Sequence, residues 1–157
     1  MALPEIGKSV PDFSLLNQHG ETIELKSFRG KNKVIIYFYP KASTPGCTVQ
    51  ACGMRDYMSA LKELNTQVLA ISPDLPAKLL KFDAQYSLDF NLLSDPEHLV
   101  ADAYGAWGLK KFMGREFMGI LRTTFIVDEK GFLLKILDKI NTKTHSSDVI
   151  AYIKDIT

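Results

Sequence analysis

The chain holds two cysteines, Cys47 and Cys52, both inside the stretch PKASTPGCTVQAC that runs from Pro40 to Cys52. Cys47 stands where a hydrophobic strand is expected to turn into a helix beginning near Pro45. Free amide N–H groups and the positive end of the helix dipole favour an anion there. Such a location favours the thiolate, which is the nucleophilic form of the sulfur. Cys52, five positions on, offers a second sulfur that can capture an oxidised Cys47. On an intact helix that separation puts the two Cα atoms roughly 8.6 Å apart. A disulfide needs them within about 7 Å. The pair can therefore close only if the first turn unwinds, which makes the segment a candidate redox switch between helix and loop.

The elements that must position these sulfurs follow from the hydrophobic pattern. Val34 to Tyr39 is apolar on both faces, as a buried central strand should be, and Pro40 ends it. Ser43 or Thr44 caps the next helix, with Pro45 suited to its first turn. Val49, Gly53, Tyr57, Ala60, Leu61 and Leu64 recur at helical spacing, which predicts one helix to about Leu64 with that stripe inward. Gln67 to Ser72 then completes a parallel βαβ unit. Upstream, Phe13 to Leu16 and Thr22 to Leu25 flank a turn and read as an N-terminal hairpin, followed by a basic loop from Lys26 to Lys33. Downstream, the pattern predicts a helix over Pro76 to Tyr86, a short strand over Asn91 to Ser94 and a helix over Glu97 to Tyr104. Gly105 to Gly119 reads as irregular. Thr123 to Val127 and Phe132 to Leu137 read as a second hairpin, and Ser146 to Ile156 as an amphipathic closing helix. A βαβ half followed by a ββα half predicts one thioredoxin-like α/β domain over 1–157, with a mixed sheet and helices on both faces.

Composition narrows the function classes. Nineteen basic and eighteen acidic residues leave a formal net charge of +1, which gives no electrostatic footprint for nucleic acid or an anionic membrane. No apolar run is long enough to span a bilayer. The first residues, MALPEIGKSVPDF, lack the basic-then-apolar pattern of a secretory signal, so a cytoplasmic location is expected. Two cysteines in such a chain are more in keeping with catalysis than with a disulfide framework. The CxxxxC spacing is wider than a zinc knuckle, and His19, His98 and His145 have no second ligand at local spacing. Each histidine reads as a turn, cap or surface residue, and neither metal nor cofactor is expected.

Pro40, Thr44 and Cys47 match PxxxTxxC, and with Cys52 the chain closely resembles the peroxiredoxins, in particular the peroxiredoxin Q or bacterioferritin comigratory protein subfamily. The likeness runs nearly end to end through VPDFSL, FYPKASTPGCT, LLSD, YGAWG and RTTFIVDEKG. The resemblance implies a thiol peroxidase acting on hydrogen peroxide and organic hydroperoxides. Cys47 would be the peroxidatic cysteine, Cys52 the resolving cysteine of the same chain, and thioredoxin the reductant; no dimer is required, so a monomer is expected. Thr44 would accept from the peroxide and donate to the thiolate, besides any capping role. Pro40 would shield the sulfur from water. Arg122, by its place before a core strand, would stabilise thiolate and peroxide; without the resemblance a surface ion pair would be the preferred reading. Many relatives carry glutamate where this chain has Gln50; the change removes a charge opposing the thiolate, and Gln50 is assigned no catalytic role. Trp107, Phe112 and Phe117 could line an apolar rim for organic hydroperoxides, although ordinary packing onto the core is preferred. The competing functions are a thioredoxin-like disulfide reductase, against which the i+5 spacing argues, a redox sensor that recycles poorly, and a binding module with incidental cysteines.

Overall fold

A computed structural model describes residues 3–157. Its centre is β3 (Lys33–Phe38), every residue of which is buried. Side chains alternate across it: Ile35 and Tyr37 enter one core cluster, Val34, Ile36 and Phe38 the other. β3 pairs in parallel with β4 (Thr66–Ser72) and antiparallel with β8 (Thr123–Val127). The remaining strands are β1 (Ser14–Asn17), β2 (Thr22–Glu24), β5 (Asn91–Ser94) and β9 (Leu133–Leu137). Together they form a seven-stranded mixed sheet in the order β2-β1-β5-β4-β3-β8-β9. The N-terminal hairpin thus joins the main sheet through β1 and β5. Leu25, expected as a strand end, and Lys26 to Phe28, expected as the start of the basic loop, form a 3-10 turn that buries Leu25.

The connection from β3 to β4 carries α1 (Pro45–Asp56) and α2 (Met58–Glu63) rather than a single helix. The break is at Tyr57, whose backbone leaves helical geometry at φ −100°, ψ 2°. The inward stripe is also rotated from the expected one. Cys47, Gln50, Ala51 and Met54 are buried, an i, i+3, i+4, i+7 pattern, whereas Val49 is 45% exposed. The valine drew the expected stripe towards itself because hydrophobicity alone marks it, while a buried glutamine gives no such signal. α3 (Pro76–Tyr86) and α5 (His145–Ile156) share this face of the sheet, contributing Leu79, Phe82, Val149, Ile150 and Ile153 to the same cluster. The other face receives the short α4 (Leu99–Ala103) and the 3-10 turn, through Ala101 and Leu25. Helices cover both faces, unequally.

The segment expected to be irregular is instead a second, two-stranded sheet, β6 (Trp107–Phe112) with β7 (Arg115–Ile120). Its tip turns at Met113 and Gly114, both with positive φ. Gly108, Gly114 and Gly119 hid the alternation that marks a strand.

Candidate active site

Pro40 ends the strand run, and Ser43 turns the chain through the left-handed region at φ 66°. Thr44 is extended, Pro45 opens α1, and the first helical bond runs from Thr48 N–H to Thr44 O at 2.9 Å. The Thr44 side chain makes no cap bond; its hydroxyl donates to Lys41 O at 2.8 Å. The expected donation from Thr44 to the sulfur is therefore absent, because the loop carbonyl three residues back takes the proton first. The hydroxyl keeps its acceptor lone pairs. With no side-chain cap, the first-turn N–H groups of α1 remain available to an incoming oxygen.

Cys47 lies in this turn, 2% exposed and not joined to Cys52. Arg122, in the link between β7 and β8, donates from Nη2 to Cys47 Sγ at 3.2 Å. Its other terminal nitrogen, Nη1, donates to Gln50 Oε1 at 2.8 Å. Among the described residues no carboxylate forms an ion pair with Arg122, so the surface-pair alternative has no partner. Its positive charge is directed at the sulfur and at a neutral amide. Gly46 makes this approach possible. A β-carbon there would lie 3.1 Å from Arg122 Nη2.

Gln50 is buried, and its amide nitrogen lies 3.2 Å from His145 Nδ1. His145 Nε2 lies 2.7 Å from Thr124 Oγ1. His145 is thus neither turn nor surface residue: it opens α5 and is 1% exposed. Burial, aided by the nearby Arg122 charge and opposed by Asp148, lowers its pKa from 6.5 to about 4. Its partners lie 95 and 21 positions away, so no local motif announced it. His19 lies in the β1–β2 turn and His98 at the N-cap of α4, both as expected; His98 has a left-handed backbone and stacks on Trp107 with centroids 3.7 Å apart. Tyr37 borders the site edge-on, with its ring centroid 5.3 Å from that of His145. Burial, with Tyr39 and Cys47 adding, pushes its phenol well up, so it stays neutral.

Cys52 is partly buried and on the same unbroken helix as Cys47. The three aromatics do not form one rim. Cross-strand register puts Lys110, Phe112 and Phe117 on one face of the β6–β7 hairpin and Trp107 on the other. Trp107 packs on the core as preferred, but Phe112 and Phe117 are 66% and 45% exposed. Lys110, Leu121 and Arg122 line a cleft with Asp138, Ile140 and Asn141. Partial burial, and then the charge of Arg122, lower the Lys110 pKa. Among the described residues, no group of three or more His, Cys, Asp or Glu side chains could hold a metal ion.

Comparison with known proteins bears on the family and the fold. Residues 6–136 match the AhpC/TSA family. The putative peroxiredoxin bcp of Haemophilus influenzae is 50% identical over 151 residues, 96% of this chain and 97% of the relative. The peroxidoxin BcpB of Mycobacterium tuberculosis superposes with a TM-score of 0.85 at 31% identity, covering 98% of each chain. The bacterioferritin comigratory protein of Xanthomonas campestris, described for its alkyl peroxide reduction activity, gives 0.89 at 25% identity, covering 97% of this chain and 99% of its own. A chain that matches this family over most of its length, and shares the peroxiredoxin fold with these structures, belongs to the AhpC/TSA family, in its peroxiredoxin Q and Bcp branch.

Proposed function

We propose that the protein is a thioredoxin-dependent thiol peroxidase in which Cys47 is the peroxidatic and Cys52 the resolving cysteine. The observation that carries the reading is the 3.2 Å contact from Arg122 Nη2 to Cys47 Sγ in the first turn of α1. A fixed guanidinium and free helix N–H groups favour the thiolate and then the charge that develops on the peroxide. The Cys47 thiolate attacks the terminal oxygen of a hydroperoxide. The O–O bond breaks, sulfur keeps that oxygen as a sulfenic acid, and the departing alkoxide takes a proton and leaves as alcohol, or as water from hydrogen peroxide. The Cys52 thiol then displaces the sulfenic hydroxyl as water and forms the disulfide. A thioredoxin dithiol reduces that disulfide by exchange and carries away its two oxidising equivalents. Thr44 accepts from the peroxide O–H with its free lone pairs. Pro40, half-buried and without an N–H, helps keep water from the sulfur.

Residues 1–157 act in this reading as one thioredoxin-like domain, a monomer working in the cytoplasm, with no cofactor or metal and no nucleic-acid or membrane partner. Within the described residues no helix is long and apolar enough to cross a membrane. Peroxide consumption coupled to thioredoxin, over hydrogen peroxide and a series of alkyl hydroperoxides, tests the function. Cys47→Ser should abolish it. Cys52→Ser should form a sulfenic acid once and fail to turn over. Full activity in Cys47→Ser would overturn the assignment. Insulin reduction without peroxide turnover would favour the disulfide reductase instead.

A further inference from the structure

A line of polar side chains runs inward from the reactive sulfur: Cys47, Arg122, Gln50, His145, Thr124. Its direction is fixed by chemistry at the outer end. Arg122 has donors only, so the Gln50 group facing it at 2.8 Å is the carbonyl oxygen. The amide NH2 must then face His145 Nδ1 and donate to it. That ring nitrogen carries the lone pair, so the ring proton sits on Nε2 and is donated to Thr124 Oγ1 at 2.7 Å. Gln50, His145 and Thr124 are each no more than 1% exposed, so water has no room to correct a wrong orientation. If the amide turned over, its NH2 would oppose the guanidinium, leaving a buried charged donor without its acceptor.

We propose that His145, as the neutral Nε2–H tautomer, is a positioning residue for Cys47: it holds the Gln50 amide so that Oε1 anchors Arg122 against the sulfur. His145 touches no reacting atom. It acts through two side chains, from the start of α5 across α1 to the β7–β8 link. The ionisable groups around it are Asp148 on its own helix, Arg122 before β8 and Tyr37 on β3. Burial and the Arg122 charge keep the ring neutral at neutral pH, with a pKa lowered to about 4. The neutral state is the one the relay needs, because an imidazolium would present a proton to the Gln50 NH2.

The consequence for reactivity rests on Cys47 being the peroxidatic cysteine, but the tautomer does not. Nitrogen-15 NMR of the imidazoles in the reduced full-length protein at neutral pH should show His145 as the Nε2–H tautomer. The Nδ1–H tautomer or an imidazolium would overturn the proposal whatever the protein's activity. His145→Asn places an amide oxygen where Nδ1 accepts, whereas His145→Leu has no acceptor. With hydrogen peroxide in stopped flow, His145→Leu should react about tenfold more slowly and show a raised Cys47 pKa by thiolate absorbance, while His145→Asn stays within about threefold of wild type. Equal losses in the two variants, or none in His145→Leu, would overturn it. If His145→Leu fails to fold, the tautomer and the Asn variant's Cys47 pKa decide: a pKa near wild type supports the relay and a raised one refutes it. A wild-type protein inert to every hydroperoxide would instead remove the functional reading, leaving the tautomer measurement to judge the relay.

Discussion

Gly46 and Arg122 are matched in space: a β-carbon on residue 46 would stand 3.1 Å from the Nη2 nitrogen that donates to Cys47 Sγ. Gly46 does not have a positive φ, so the backbone does not require glycine there. Space for the guanidinium does. Gly46→Ala should displace Arg122 by a few tenths of an ångström, against Thr142 Cγ2 at 3.7 Å from the same point. Alanine is the better helix former by up to about 1 kcal/mol, so global stability should hold or rise. The peroxide rate constant should fall on the order of tenfold, because charge-assisted contacts weaken steeply with lost geometry. Stopped flow with a thermal melt separates the two effects. A full rate in Gly46→Ala would mean that the site tolerates a displaced arginine.

Arg122→Lys tests the two-handed contact directly. Arg122 bridges Cys47 and Gln50 with separate nitrogens, whereas an ammonium is a single compact head that cannot serve both in the same geometry. The rate constant for peroxide should drop at least about tenfold, or about 1.4 kcal/mol of barrier. The fold should persist at a stability cost of about 1 kcal/mol if Gln50 Oε1 loses its buried partner. An unchanged rate constant would refute a catalytic role for Arg122.

The contrast between Cys47 and His145 shows what a sequence can reveal about this site. Cys47 announces itself locally: strand end, proline, helix start and second cysteine lie within thirteen consecutive positions. The same holds for β3, whose unbroken apolar run predicts a central strand, and for α3, which begins at Pro76 as expected. His145 has no such context. Its function depends on β8 bringing Thr124 beside Tyr37 and on α5 packing against α1, contacts made only in the folded chain. Gly53 is similar. It reads as a weak point in a helix, yet a β-carbon there would meet Ser146 Oγ at 2.5 Å, so its absence lets α5 approach α1. Hairpin β6–β7 was hidden for another reason, since its glycines and exposed apolar residues break the half-buried alternation by which strands are recognised.

His145 should also leave a signature in the pH dependence of stability. Its folded pKa is depressed from 6.5 to about 4. As pH falls below 6.5 the unfolded chain takes up a proton that the folded ring refuses until about 4, so folding is progressively disfavoured. The associated stability is fully present above the unfolded pKa and is lost as pH falls through that window, at up to about 1.4 kcal/mol per unit. His145→Asn removes this titration and leaves the other groups in place. Urea unfolding across the window should therefore show a shallower acid-side slope in His145→Asn than in wild type. Equal slopes would mean that the folded ring protonates normally.

Oxidation must act on α1 itself. Cys47 and Cys52 sit on one continuous helix, where i+5 Cα atoms are roughly 8.6 Å apart, beyond disulfide reach. Closing the bond therefore requires unwinding, and the structure sets what opposes it. Cys47, Ala51 and Met54 belong to the core cluster, and Gly53 is closely packed on Ser146. Freeing the fully buried Met54 would cost about 1.5–3 kcal/mol by transfer alone, so the turns around Cys47 to Cys52 should give way before the Met54 anchor does. Amides further along α1 still lose protection, because their acceptor carbonyls lie four residues back in the unwound part. Hydrogen exchange on dithiol and disulfide forms should show faster exchange from Thr44 to about Arg55 in the disulfide form. β3, buried throughout, should not change, and α5 should stay protected if its contact with α1 survives. Mass spectrometry fixes the Cys47–Cys52 bond in the sample measured. Equal protection of α1 in both forms would exclude the unwinding, and Cys52 would then have to reach Cys47 by another route, such as pairing between chains.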